Sequence, residues 1–237
     1  MVDSAHLDRL DAFLDERDLE AIWLARSNSF AWLTRGCNVV DVGSDVGVAA
    51  AGYDGSSLEV VTATNERERF REEELPDDVT VDAFDWWEGS LAEAVAERSP
   101  APAGADFEVP GLRRVDVSSL RRPLTAADVE LAREVFDAIR DAYDELGHPE
   151  EWRNHHQGGA AGFAMREWIA APDSDTTVRL PMTFAWNPTL PGAKSEETAL
   201  VTEDGYEVLT TTGEWPTSRF EAVSFDAEIP LSDVLVR

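Results

Sequence analysis

Trp152-Arg153-Asn154-His155-His156-Gln157-Gly158-Gly159-Ala160-Ala161-Gly162-Phe163-Ala164-Met165-Arg166-Glu167 is the densest run of unusual chemistry in the chain. It holds two of the four histidines, three glycines, and then an arginine beside a glutamate. Glycines so closely spaced let a backbone approach another segment or a ligand. Histidines beside them ordinarily suggest a metal or a proton-transfer site. Here they stand among few anionic ligands, so the stretch reads as a metal site with most of its donors removed. On a strand, His155 and His156 would point to opposite faces, and only one would face a cleft.

Ahead of this stretch, the spacing of Val129, Ala132, Phe136, Ile139 and Tyr143 predicts a helix from Thr125, as N-cap, to about Leu146. Gly147 and Pro149 are its stop signals. Beyond it, strands are predicted at 154–157, 162–168 and 178–187, with a 198–202 and 206–211 pair turning at Asp204-Gly205. The expectation is a helix on a curved antiparallel sheet.

The first part reads differently. Leu7, Leu10, Phe13 and Leu14 predict a helix opening near Ser4. A buried strand follows at 21–25, then a helix carrying Phe30, Trp32 and Leu33 and ending at Gly36. Strands at 46–51 and 58–64 join through Tyr53-Asp54-Gly55. A charged helix (65–74), a strand (79–84), a helix (90–98), a strand (105–109) and a further segment (115–120) complete an α/β sandwich. Arg121-Arg122-Pro123 marks the exit. The boundaries are therefore 1–122 and 123–237, and the fold class is α/β followed by α+β.

Composition bounds the function. The chain has 237 residues, with 48 acidic against 20 basic, a net charge of −28. A 43% hydrophobic content with eight Trp and ten Phe supplies core material, so the charge is a skin on a folded protein. Lys194 is the sole lysine. High acid content almost without lysine is expected of a cytoplasm at molar salt, where a Debye length of about 3 Å screens self-repulsion. Such a surface repels nucleic acid and anionic membrane, so neither is an expected partner. Cys37 is the only cysteine and is expected to be buried and inert; no disulfide or thiolate zinc site can be built within the chain. Neither a leader-like start nor an 18-residue apolar run is evident.

Three motifs carry a resemblance. They are His155-His156-Gln157-Gly158-Gly159-Ala160-Ala161-Gly162 with Arg166-Glu167, then Met182-Thr183-Phe184-Ala185-Trp186-Asn187-Pro188, then Gly192-Ala193-Lys194-Ser195-Glu196-Glu197-Thr198 running to Gly205. Together they resemble the end of the pita-bread metallopeptidase family of aminopeptidase P, prolidase, methionine aminopeptidase and creatinase. The opening rhythm, from Leu7 to Gly36, is similar to the creatinase and prolidase amino-terminal domain. The resemblance implies a creatinase-like domain over 1–122 and a partial, half pita-bread domain over 123–237.

Active members hold two divalent metals with two aspartates, a histidine and two glutamates. Carried over residue by residue, the family's histidine falls on Gly159, a second histidine on Arg166, and a glutamate on Asn187. Only Glu196 matches a metal-binding glutamate, and the strand pair bearing the two aspartates has no counterpart. One carboxylate with a glycine and an amide cannot hold two ions. No cofactor is therefore expected; manganese, cobalt or zinc belongs only to a reading with a rebuilt metal site, for which Glu196 is the weak metal candidate.

The expected function is a non-catalytic binding, regulatory or structural homologue. The alternatives are a metal-independent, creatinase-type hydrolase of a small amide or amidine, and a metallo-aminopeptidase. Candidate catalytic residues are His155, His156, Glu167 and Glu196. Candidate ligand contacts are Arg166, Asn187, Lys194 and Trp186, for a small peptide or amide. Lys194 is read as an ammonium occupying the charge of a missing metal. Half a barrel-like sheet leaves an open edge, so a homodimer or a partner protein is expected to cover it.

Overall fold

The apolar run Ala21–Arg26 (β1) is buried along almost its whole length, which only a strand covered on both faces allows. In the computed structural model, which describes residues 4–122, 127–221 and 228–233, β1 lies inside a six-stranded mixed sheet. Helix α1 (Ser4–Arg17) precedes it, and α2 (Ser27–Thr34), β2 (Val46–Tyr53) and β3 (Leu58–Ala63) follow. Next come a short helix α3 (Arg67–Arg69) that widens into a π-turn, β4 (Thr80–Phe84), α4 (Leu91–Arg98), β5 (Ala103–Ala105) and β6 (Arg113–Arg114). The strand order is β4-β3-β2-β1-β5-β6.

Alternation along β1 builds two cores. Ile22 and Leu24 meet Leu10, Phe13 and Phe30 from α1 and α2, while Trp23 and Ala25 meet Ala94 and Val95 of α4. The α/β sandwich read from the sequence is this arrangement. Ser90 caps α4 in a capping box with Glu93.

Several local expectations are corrected. Strand β5 ends at Ala105 rather than running to Val109, and 118–121 is a 3-10 turn. The left-handed residue ending α2 is Arg35 (φ 64°). Gly36 serves close approach instead, since a Cβ there would lie 2.5 Å from the carbonyl oxygen of Glu74. Cys37, expected buried, is exposed, between the buried Gly36 and Asn38.

The chain divides into two compact units, Met1–Arg122 and Pro123–Arg237. In the second, β7 (Ala127–Leu131) is followed by α5 (Ala132–Glu145). The predicted long helix is thus overturned in its first turns. Val129 lies in a strand paired with β10 (Thr177–Leu180), because that partner offers backbone hydrogen bonds that local periodicity does not reveal. Thr125 lies outside the described residues. The helix ends as expected: Gly147 is left-handed (φ 79°), and the His148 amide bonds the Tyr143 carbonyl at 2.9 Å.

The remaining strands are β8 (Gly158–Ala161), β9 (Trp168–Ile169), β11 (Met182–Trp186), β12 (Thr189–Leu190), β13 (Ala193–Lys194), β14 (Glu197–Thr202), β15 (Gly205–Val208), β16 (Thr217–Glu221) and β17 (Glu228–Ser232). The main sheet runs β15-β14-β11-β8-β9, all antiparallel, with α5 on one face. The predicted strands at 154–157 and 162–168 are not there. Residues 151–154 form a 3-10 turn, and the strand falls on the glycines between the two predictions. The predicted 178–187 strand is two, broken at Pro181, which cannot donate to a ladder.

Candidate functional site

Register fixes what faces what. Ala185 pairs with Gly159 and Thr198, while Trp186 pairs with Gly158 and Glu197. Directly paired residues share a face. One face therefore carries Phe184, Trp186, Ala160, Trp168 and Val201 and packs against α5. The other carries Gly159, Ala161, Thr183 and Ala185, flanked by Leu200 and Ile169, and Asn187 continues that face.

Trp186 and Asn187, both read as ligand contacts, are thereby separated. Trp186 stacks flat on Phe184, ring centroids 5.9 Å apart, and lines an 820 Å³ apolar cavity on the helix side with Leu180 and Val201. Asn187 is 7% exposed, and its Oδ1 has no hydrogen-bond partner.

A hub that motif reading missed holds Asn187 in place. The fully buried Gln157 donates to the carbonyls of Trp152 (3.1 Å) and His155 (2.8 Å). Its Oε1 accepts from the Tyr143 hydroxyl at 2.7 Å, and that hydroxyl accepts from the Thr189 amide at 2.9 Å. The Asn187 amide bonds the Gln157 carbonyl at 2.9 Å. The signal was present as a polar residue between histidines and glycines, but Tyr143, whose hydroxyl it bonds, lies 14 residues away.

The histidines separate too. His155 is half-buried, its Nε2 3.2 Å from the Asn187 carbonyl oxygen. His156 is exposed. Neither sits on a strand. Glu167 accepts from the Ala164 amide at 2.9 Å and closes the turn that begins at Gly162.

What the structure gathers is a set of charges around Glu196. Lys194 hydrogen-bonds and ion-pairs with it. That hydrogen bond and charge hold the Glu196 carboxyl below the usual carboxylate range, with Arg166 and His156 adding to the effect. The Lys194–Glu196 pair is half-exposed and is worth little to stability.

These residues do not fit a two-metal centre. Among the described residues, no group of three or more His, Cys, Asp or Glu side chains is placed to hold a metal ion. At Gly159 a Cβ would lie 2.1 Å from the Trp168 carbonyl oxygen. Strand β9 thus fills the space that any side chain there would need. A divalent ion approaching Glu196 would also have to displace a lysine. No helix among the described residues is long and apolar enough to cross a membrane.

No protein-family model matches the sequence, and no curated protein matches it either. Solved structures do match. A prolidase from Pyrococcus horikoshii OT3 is similar at 12% identity and a TM-score of 0.65, over 87% of this chain and 98% of that one. An Xaa-Pro dipeptidase from Bacillus anthracis matches at 13% and 0.65, over 88% and 98%. The N-terminal domain of the FACT complex subunit SPT16 from chickpea (Cicer arietinum) matches at 10% and 0.51, over 90% and 98%. The chain has, over most of its length, the fold of prolidases and Xaa-Pro dipeptidases, an α/β domain followed by a pita-bread-type sheet.

Proposed function

We propose that this chain is a non-catalytic relative of prolidases and Xaa-Pro aminopeptidases, a binding or regulatory module whose cleft takes a small peptide or amide. One observation carries the reading: Glu196, the single matched metal-binding glutamate, is neutralised by Lys194, with Arg166 and His156 adding positive potential. A surface arranged this way favours an anionic ligand group over a metal ion. The buried, unpartnered Oδ1 of Asn187 adds an acceptor for a ligand N–H. The fold also occurs in a protein whose name is that of a complex subunit rather than a peptidase.

Elemental analysis after purification in molar KCl without chelators tests this. Metal below stoichiometry in a folded protein is the expected result. About one or two manganese, cobalt or zinc ions per chain, retained through dialysis, would restore the metallopeptidase reading.

A second reading keeps a hydrolase without metal. It rests on the exposed His156, whose charge when protonated acts on the Glu196 carboxylate. Turnover of small amides or amidines that disappears in His156→Ala would establish it and end the non-catalytic reading.

We also propose that the protein works in a high-salt cytoplasm and pairs with a second copy or a partner protein. Support comes from the net charge of −28 and from the edge strands β15 and β9, where Ile169 is 42% exposed. A strictly monomeric species by light scattering in molar KCl would remove the partner proposal.

A further inference from the structure

We propose that a polar pocket in the first unit binds a small zwitterion of the α-amino-acid class, its carboxylate held by Arg114 and Arg121 and its ammonium by Asp106 and Asp116. The pocket measures about 320 Å³ and is lined by these four residues together with Arg26 and Ser29. That volume is at the lower end for ligand sites and suits a ligand of few heavy atoms.

The charges argue for the class. In a chain of net charge −28, three arginines and two aspartates share one small pocket. Two of the arginines keep exposed ion pairs that a ligand can exchange: Arg26, whose Nε also donates to the Asp106 carbonyl at 3.2 Å, lies 3.6 Å from Asp45, and Arg114 lies 3.3 Å from Glu108. Guanidinium groups in that state are available to grip a carboxylate in bidentate fashion.

Asp106 supplies the second, independent observation. It is 2% exposed, and Oδ1 accepts from the amides of Ala25 (2.8 Å) and Arg26 (3.2 Å), which ties β5 to the β1–α2 junction. That structural task uses Oδ1 alone. Oδ2 is buried and has no hydrogen-bond partner. Burial pushes the Asp106 carboxyl above its usual range, and the hydrogen bonds from Ala25, Arg26 and Ser29 offset this only in part.

An oxyanion cannot satisfy Oδ2, whereas an ammonium can. The Ser29 hydroxyl stands beside Asp106 and accepts from Arg121 Nη1 at 3.2 Å.

The test uses the full chain in molar KCl. Free L-amino acids are screened by thermal unfolding and then by calorimetric titration, with acetate and ethylammonium as half-ligands. At least one amino acid raises Tm by several degrees at about a hundredfold excess over Kd, and neither half-ligand does. Arg114→Gln and Arg121→Gln each weaken binding about tenfold. Arg114 is half-exposed, so its variant keeps the unliganded Tm and decides the question if Arg121→Gln fails to fold. Silence from every amino acid overturns the proposal. So does acetate binding as well as the best amino acid, or binding that survives Arg114→Gln.

Discussion

The two units differ in how their sheets are covered. In the first, helices lie on both faces of the sheet, and β1 is buried on each side. In the second, α5 covers one face of the main sheet, and the buried apolar cluster is Ala132, Ala160, Val178 and Phe184. The centre of its other face is glycine, alanine and threonine, flanked by Leu200 and Ile169, and an 820 Å³ cavity lies on the helix side. Among the described residues the second sheet is covered by a helix on one face, which buries less apolar area per ordered residue and predicts a lower stability for the second unit. Adaptable binding surfaces are drawn from such regions.

The largest expected effect tests that contrast directly. Trp23→Ala, at 2% exposure between β1 and α4, should cost about 4 kcal/mol. Phe184→Ala should cost less, about 2–3 kcal/mol, because its cavity is partly present already. Chemical denaturation in molar KCl measures both. Two transitions, the earlier one shifted by Phe184→Ala alone, would sharpen the contrast, and a single shared transition would break it.

A smaller effect belongs to the hub. Tyr143→Phe removes the hydroxyl that serves Gln157 and Thr189, at a cost of about 1–3 kcal/mol. It should also speed amide hydrogen exchange at Asn187 and Thr189 while leaving β1 protected. Unchanged exchange at those two amides would mean that the hub does not hold the cleft.

The smallest lies in acid. Asp54 caps the β2–β3 hairpin. Burial raises its carboxyl pKa, but hydrogen bonds from Ser57 and Ser56 outweigh this and hold it at about 2, below the ordinary value of 3.8. A lowered folded-state pKa gives stability that is present above the unfolded value and lost as pH falls through the folded one. The contribution should therefore vanish between about pH 4 and pH 2. Asp54→Asn should flatten that limb of the acid-unfolding curve, and a limb of unchanged steepness would assign it to other carboxylates.

The sequence by itself determined the α/β unit almost element by element. Its strands and helices are short, strongly periodic and punctuated by turn residues, so local signals agree with the tertiary answer at Leu10, Ile22, Ser90 and Gly55. It also determined the acid skin and the hairpin turn at Asp204-Gly205. It raised the expectation of few metal donors, because ligand chemistry depends on residue type before geometry. Only the tertiary structure decided the second unit. Residues 127–131 read as helix until β10 is there to pair with them, and Gly158-Gly159 reads as a loop until β9 and β11 press against it. The separation of Trp186 from Asn187, the convergence of Lys194, Arg166 and His156 on Glu196, and the unpartnered oxygen of Asp106 arise from pairings between distant residues. Local periodicity carries no information about such pairings, which form only when strand register is fixed across the sheet.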